Sequence, residues 1–383
     1  MVKQFMRLSM ISMTTIIFLT GCGNIAPKAV ETPVPTVTFT PQPPTAAPTD
    51  TPTPITPTPT PIRTPPVLPG VFQSSILNPM DTPHTYIPDT CQYLKMKWDP
   101  NNSAPGTVVM VIMYHSITDD PPPYKDNQVG QDFHQKTMRD AFDKGFKTIN
   151  PLQLADFLEH NARIPQRSML IVKDDRHQAE FFKTHFTPIL KKYDWTSVTM
   201  SWISTPDTPV EYYEPLKKLI KQGYLDIQAH GVVHNVNITE ASTEDYIHSE
   251  LFGSISFIKE HFGTTPIAYI WPGGSFTKRA VEVAREAGYR LGFTINPRGP
   301  VMFNWVPLSS AADPMRPSYF PEGQIGDPLL VLPRYWSTDA DYHFDDVINV
   351  GEAAAADAAA NRDTELLYYD IMCKESMGPI PAQ

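Results

Sequence analysis

An unbroken apolar run from Val108 to Tyr114 opens a regular alternation of short strand-like and longer helix-like patterns. Its length and β-branched content fit a strand buried on both faces of a parallel sheet. Asp132 to Lys144 has helical spacing and stops at Gly145, and Phe146 to Ile149 reads as a short strand. Asn150-Pro151 supplies a capping residue followed by Pro at the first helical position, so a helix runs to about His160. The series continues with a strand at Ser168 to Lys173, a helix kinked at Pro188 over His177 to Tyr193, and a strand at Ser197 to Ile203. Further units are a helix from Val210 to Gln222, a strand Leu225 to Ala229, a helix Thr243 to Phe262 and a strand Ile267 to Trp271. A helix Thr277 to Ala287 and a strand Leu291 to Ile295 end the regular part. Repeated βα units, several with Gly just past the helix, predict an α/β fold with a parallel sheet. Seven strands in one unbroken series favour a barrel over a doubly wound sheet. Residues 296–330 read as a long Pro- and Gly-containing loop, and Glu352 to Ala360 as a short Ala-rich helix.

Composition sets the first part of the chain apart. The 383 residues include 41 Pro, which cannot be spread through packed elements because Pro removes a donor and blocks helix interiors. Residues 22–70 hold a Pro/Thr tract with Thr-Pro repeats, read as a disordered, semi-rigid linker. Ahead of it, Lys3 and Arg7 precede an apolar run from Leu8 to Leu19 that is short for a bilayer span. The end of that run, Leu19-Thr20-Gly21-Cys22, resembles the bacterial lipobox. The resemblance implies a lipoprotein signal peptide over 1–21, lipidation at Cys22, and a membrane anchor facing the extracellular side. Residues 71–106 are expected as a flank packed on the domain, 107–375 as the domain, and 376–383 as a tail. Cys91 and Cys373 flank that domain and form a candidate disulfide in an oxidising compartment, the alternative being two free buried thiols. The formal net charge of −10, without a basic stripe, argues against nucleic-acid binding.

Active sites of such folds lie at the carboxyl ends of the strands. Those ends carry Tyr114-His115, Lys173-Asp174-Asp175-Arg176, His230-Gly231-Val232-Val233-His234 and Trp271-Pro272-Gly273-Gly274. One carboxylate and two imidazoles make a three-ligand site with open positions for a catalytic metal. A second carboxylate beside it is free to take a proton from water.

These motifs resemble the polysaccharide deacetylase family (the NodB-homology domain), and within it the branch acting on poly-β-1,6-linked N-acetylglucosamine. Met113-Tyr114-His115-Ser116, Leu170 to Asp175, Phe186 to Tyr193, His230 to His234, Trp271 to Gly274 and Leu332-Pro333-Arg334 carry the likeness, over about 107–337. The resemblance implies a deformed (β/α)7 barrel, NodB-like and related to the TIM barrel. It implies Asp174 as general base, and Asp175, His230 and His234 as ligands of one divalent transition metal, zinc first. The Gly273 N–H would stabilise the oxyanion. His115, Trp271, Pro272, Lys173 and Arg176 are candidate pocket residues. The implied reaction removes acetyl groups from an N-acetylated amino-sugar polymer and releases acetate. Two other readings stay open: a glycan-binding lipoprotein of the same fold without activity, and an O-acetyl esterase.

The chain departs from the family pattern at several positions. Lys173 and Arg176 replace the residues that usually flank the Asp pair, where Arg176 stands for Gly. They bring two cations that either lower the pKa of Asp174, bind an anionic glycan, or snorkel to solvent. Gly231 stands where Ser or Thr is usual, and Ile270 where an Arg usually orients the base. No Leu-x-His general-acid motif is evident, and His343 is the nearest candidate by position.

Overall fold

The computed structural model describes residues 63–125, 127–233, 236–314 and 320–382. The signal peptide, Cys22, most of the Pro/Thr tract and His234 lie outside the described residues.

Seven parallel strands form the central sheet: β1 (Val108–Tyr114), β2 (Arg167–Lys173), β3 (Val198–Trp202), β4 (Leu225–Ala229), β5 (Ala268–Ile270), β6 (Leu291–Phe293) and β7 (Tyr335–Trp336). Their order is β6-β5-β4-β3-β2-β1-β7. Every residue of β1 is buried, as its continuous apolar run requires, and β1 pairs with β2 in register from Val108↔Arg167 to Tyr114↔Lys173. The sheet curls, because Leu332 bridges to Phe293 of β6 while Tyr335 and Trp336 pair with Ile112 and Met113 of β1. The segment 332–336 thus spans the gap between the first and last regular strands, giving the deformed (β/α) barrel.

The seventh stave differs from the one read in the sequence. Only Lys147 and Thr148 of the predicted strand at 146–149 pair, and they sit beside the start of β2, off the main path. The closing stave is instead β7, whose two residues are too few to leave a periodic signal.

Helices α1 (Thr90–Trp98), α2 (Gln131–Asp143), α3 (Pro151–His160), α4 (Ala179–His185), α5 (Thr187–Tyr193), α6 (Tyr213–Lys221), α7 (Glu244–Phe262), α8 (Lys278–Glu286) and α9 (Phe344–Met372) accompany the sheet. Start signals act where the sequence places them: Asn150 and Gln153 close a capping box at α3, and Thr243 and Thr277 cap α7 and α8. The predicted helix over 177–193 is two helices, α4 and α5, because the ring of Pro188 cannot continue the α4 hydrogen-bond ladder. The flank is more regular than its composition implies. It contributes α1 and a strand, Asp81–His84, which pairs antiparallel with Val306–Ser309 from the presumed loop. The Ala-rich stretch is part of α9, a helix of 29 residues, since Ala costs least in a helix. A disulfide joins Cys91 in α1 to Cys373 just past α9, with Cα atoms 5.3 Å apart. Among the described residues no helix is long and apolar enough to cross a membrane.

Candidate active site

Parallel pairing of β1, β2, β3 and β4 brings their carboxyl ends to one rim, and the polar residues beyond them meet there. Asp174 follows β2 and is 2% exposed. Its N–H donates to the Tyr114 carbonyl at 2.7 Å, which extends the β1–β2 ladder by one step and fixes the backbone. Its Oδ1 accepts from Arg334 at 2.7 Å and from the Ser201 hydroxyl of β3 at 3.0 Å. Its Oδ2 lies 3.7 Å from Nε2 of His115, the residue after β1. Burial opposes ionisation of this carboxyl. The Arg334 guanidinium, together with His230 and His115, overrules burial and holds Asp174 well below the usual carboxylate range.

Asp175 is the turn residue, with φ 65°, in the left-handed region that costs an L side chain. Because the left-handed residue is Asp175, position 176 needs no glycine, and Arg176 fits. Asp175 Oδ1 lies 3.8 Å from Nε2 of His230. His230 is buried after β4, and its Nδ1 is 2.7 Å from the Ile270 carbonyl. A carbonyl only accepts, so Nδ1 carries a proton and Nε2 is the ring nitrogen turned toward Asp175. An imidazole nitrogen and a carboxylate oxygen converging at that separation are a donor pair suited to a divalent transition metal. Among the described residues no group of three or more His, Cys, Asp or Glu forms a metal cluster. The described part of the candidate ligand set is Asp175 with His230, and His234 lies outside the described residues.

The other candidates divide. His115 belongs to the site: its ring stacks on Trp336 at 5.6 Å between centroids, at the tip of β7. Gly273 sits in the turn after β5 with φ 59°, and a Cβ there would meet the Asn237 side chain at 2.7 Å. Trp271 and Pro272 are not pocket residues. Both are buried, and the Trp271 indole N–H donates to the Leu330 carbonyl at 2.8 Å, so Trp271 packs in the core.

Of the two cations that flank the Asp pair, Lys173 stays beside it and Arg176 turns away, and neither hydrogen-bonds the Asp174 carboxylate. Lys173 is fully buried, donates to the Asp174 carbonyl and lies over the Phe181 ring at 5.4 Å. Burial pushes its pKa down to about 7. Arg176 turns to the loop after β3, where it donates to Thr205 and Thr208 and lies 3.6 Å from Asp207. His343 packs on Tyr335 and faces Asp346 at 3.6 Å.

Sequence reasoning placed Arg334 in the Leu332-Pro333-Arg334 motif without giving it a role, and it missed Ser201 and the Ile270 carbonyl. Arg334 puts a guanidinium on Asp174 where the family pattern led to the expectation of a cation at position 270, which is Ile270. The signal for that role is a lone cation inside an apolar segment, Leu330 to Tyr335, where an unpaired charge would be costly.

Residues 162–292 match the family model described as polysaccharide deacetylase. Two curated relatives, the poly-β-1,6-N-acetyl-D-glucosamine N-deacetylases of Escherichia coli O157:H7 and Escherichia coli K12, are each 18% identical over 236 residues. The match covers 50% of this chain and 34% of each relative, so the chain spans about a third of their length. Similar solved structures include the Streptococcus pyogenes deacetylase PplD in complex with acetate, with TM-score 0.49 and 20% identity, covering 63% of this chain and 98% of that one. A de-N-acetylase from Aggregatibacter actinomycetemcomitans has TM-score 0.47 and 16% identity, covering 60% of this chain and 94% of its own.

Proposed function

We propose that this chain, whose residues 162–292 match the polysaccharide deacetylase family model, is an extracellular, metal-dependent carbohydrate N-deacetylase. It hydrolyses acetamide groups on an N-acetylated amino-sugar polymer and releases acetate. Lipidation at Cys22 tethers it to the cell membrane, and the Pro/Thr tract holds the domain away from the surface.

One observation carries the reading. Asp174 is a buried carboxylate with one oxygen clamped by Arg334 and Ser201 and the other facing His115, beside the converging Asp175 and His230. A structural ion pair needs only the first half of that arrangement. Asp175 and His230, with His234, would hold the cation, zinc being the first choice. Such a cation supplies Lewis acidity toward the acetamide carbonyl and the attacking water.

The chain's own groups do the rest. Asp174 is held ionised, so Oδ2 accepts the proton of the attacking water while Oδ1 stays fixed. The proton taken up on Oδ2 moves on to His115, which lies beside that oxygen, and from its ring to the departing amine. The Gly273 N–H, on the turn after β5, is assigned to the developing oxyanion.

The test is acetate release from β-1,6- and β-1,4-linked N-acetylglucosamine oligomers in the presence of Zn²⁺, with acetylated xylan in parallel. Asp174→Asn is expected to lower the rate by about 10²–10⁴-fold, the usual contribution of a general base. Release from xylan alone makes the protein an esterase. An unchanged rate in the variant removes Asp174 from the mechanism.

A further inference from the structure

Behind the turn that carries His230 lies a carboxylate that the reaction does not consume. Glu250, in α7, is fully buried. Its Oε2 accepts from the Val232 N–H at 2.8 Å, and its Oε1 from the Val233 N–H at 3.1 Å. Both donors lie just past the imidazole. Among the described residues the turn is held as well by the His230 N–H donating to the Trp202 carbonyl at 2.9 Å, by the His230 ring on the Ile270 carbonyl, and by the Gly231 carbonyl accepting from the Ser204 N–H at 2.9 Å.

Gly231 is shaped by the same contact. It has φ +81°, and a Cβ there would lie 2.4 Å from Glu250 Oε2. The glycine that departs from the family pattern therefore leaves room for the carboxylate, and any side chain would displace it. A buried carboxylate without partners is costly. Here two backbone N–H groups satisfy it, and in return the turn is held in one conformation.

We infer that Glu250 is a positioning residue that sets the His230 turn for the divalent cation, acting through the Val232 and Val233 N–H groups. This rests on the metal-dependent reading above. Removing outer contacts of a metal ligand typically weakens metal affinity by about 10–100-fold.

The experiment titrates Zn²⁺ alone into the full chain against a chromogenic chelator, with urea midpoints confirming that each variant is folded. Glu250→Ala is expected to weaken Zn²⁺ binding by about 10–100-fold. Glu250→Gln keeps the shape and one accepting oxygen, and it should fall between Glu250→Ala and wild type. Gly231→Ala should weaken binding as well, and adding Glu250→Ala to it should cost little more, since both changes break one contact. A purely structural Glu250 would move the urea midpoint and leave the affinity of the folded protein unchanged, which overturns the inference. Wild type that fails to bind Zn²⁺, like Asp175→Asn, overturns the metal-dependent reading and this inference together. Wild-type binding matched by every Glu250 variant removes the inference alone.

Discussion

Asp174 and Arg334 are buried so deeply that each depends on the other. The guanidinium is fully buried, its Nη1 contacts Asp174 at 2.7 Å, and its Nε donates to the Thr294 carbonyl at 2.6 Å. Removing one member of such a pair strands the other charge in a low dielectric, which typically costs about 3–5 kcal/mol. Arg334→Met should therefore lower stability by about that amount in urea denaturation. Asp174→Asn combined with Arg334→Met should cost less than the sum of the single changes, because no charge is left alone. Strict additivity would mean that the two side chains do not interact. The pair also marks how far the site was legible. Asp174, Asp175 and His230 stand at strand ends in a recognisable order, so their convergence followed from topology. Arg334 lies 160 positions from its partner, outside the βα repeat, and only the closing segment brings it there. Glu250 was hidden differently: on a helix face its spacing looks like that of any amphipathic position.

At the level of elements, legibility followed length and caps. Runs such as β1 and the capped helices α3, α7 and α8 carry local signals strong enough to read. The two-residue β7 and the break at Phe186 depend on neighbours far away in sequence. That break places Phe186 against both Tyr114 and His134, with ring centroids 5.6 and 5.0 Å apart, locking α2 to β1. His134 is fully buried, with Nδ1 3.2 Å from the Tyr114 hydroxyl and Nε2 3.1 Å from the His185 carbonyl. Burial lowers its pKa from 6.5 to about 4. The unfolded chain then binds this proton more readily than the folded one between those values. The stability it contributes is full above about pH 6.5 and is lost as pH falls toward 4. Wild type should lose about 3 kcal/mol more than His134→Gln between about pH 7 and pH 4. Asp226, which burial raises to about 6, titrates in the same window with the opposite sign. The difference between the two proteins is therefore the quantity to measure, by urea midpoints at both pH values. Equal losses would show that His134 binds its proton as readily in the fold as in the unfolded chain.

Over the whole molecule, the barrel and its ends are held by different means. The main core runs through all the strands, whereas Leu94, Tyr369 and Cys373 form a small separate core between α1 and the end of α9. None of the candidate catalytic or metal-binding residues belongs to that smaller core. The Cys91–Cys373 bond closes a loop of 282 residues. In the chain-entropy account, a cross-link over so long a loop stabilises by about 5–6 kcal/mol by restricting the unfolded chain. Replacing both cysteines with Ala should lower the melting temperature by about 10 °C. The folded state loses little packing by comparison, and the site residues stand on strands whose pairing does not involve either cysteine. Zn²⁺ affinity and the rate of acetate release at 25 °C should therefore match wild type. Calorimetry with and without reductant, alongside the double variant, separates the two contributions. A variant that melts with wild type would mean that packing alone holds the ends together. A fall in Zn²⁺ affinity at unchanged fold would mean instead that strain from the ends reaches the rim, and the separation of barrel from clasp would have to be abandoned.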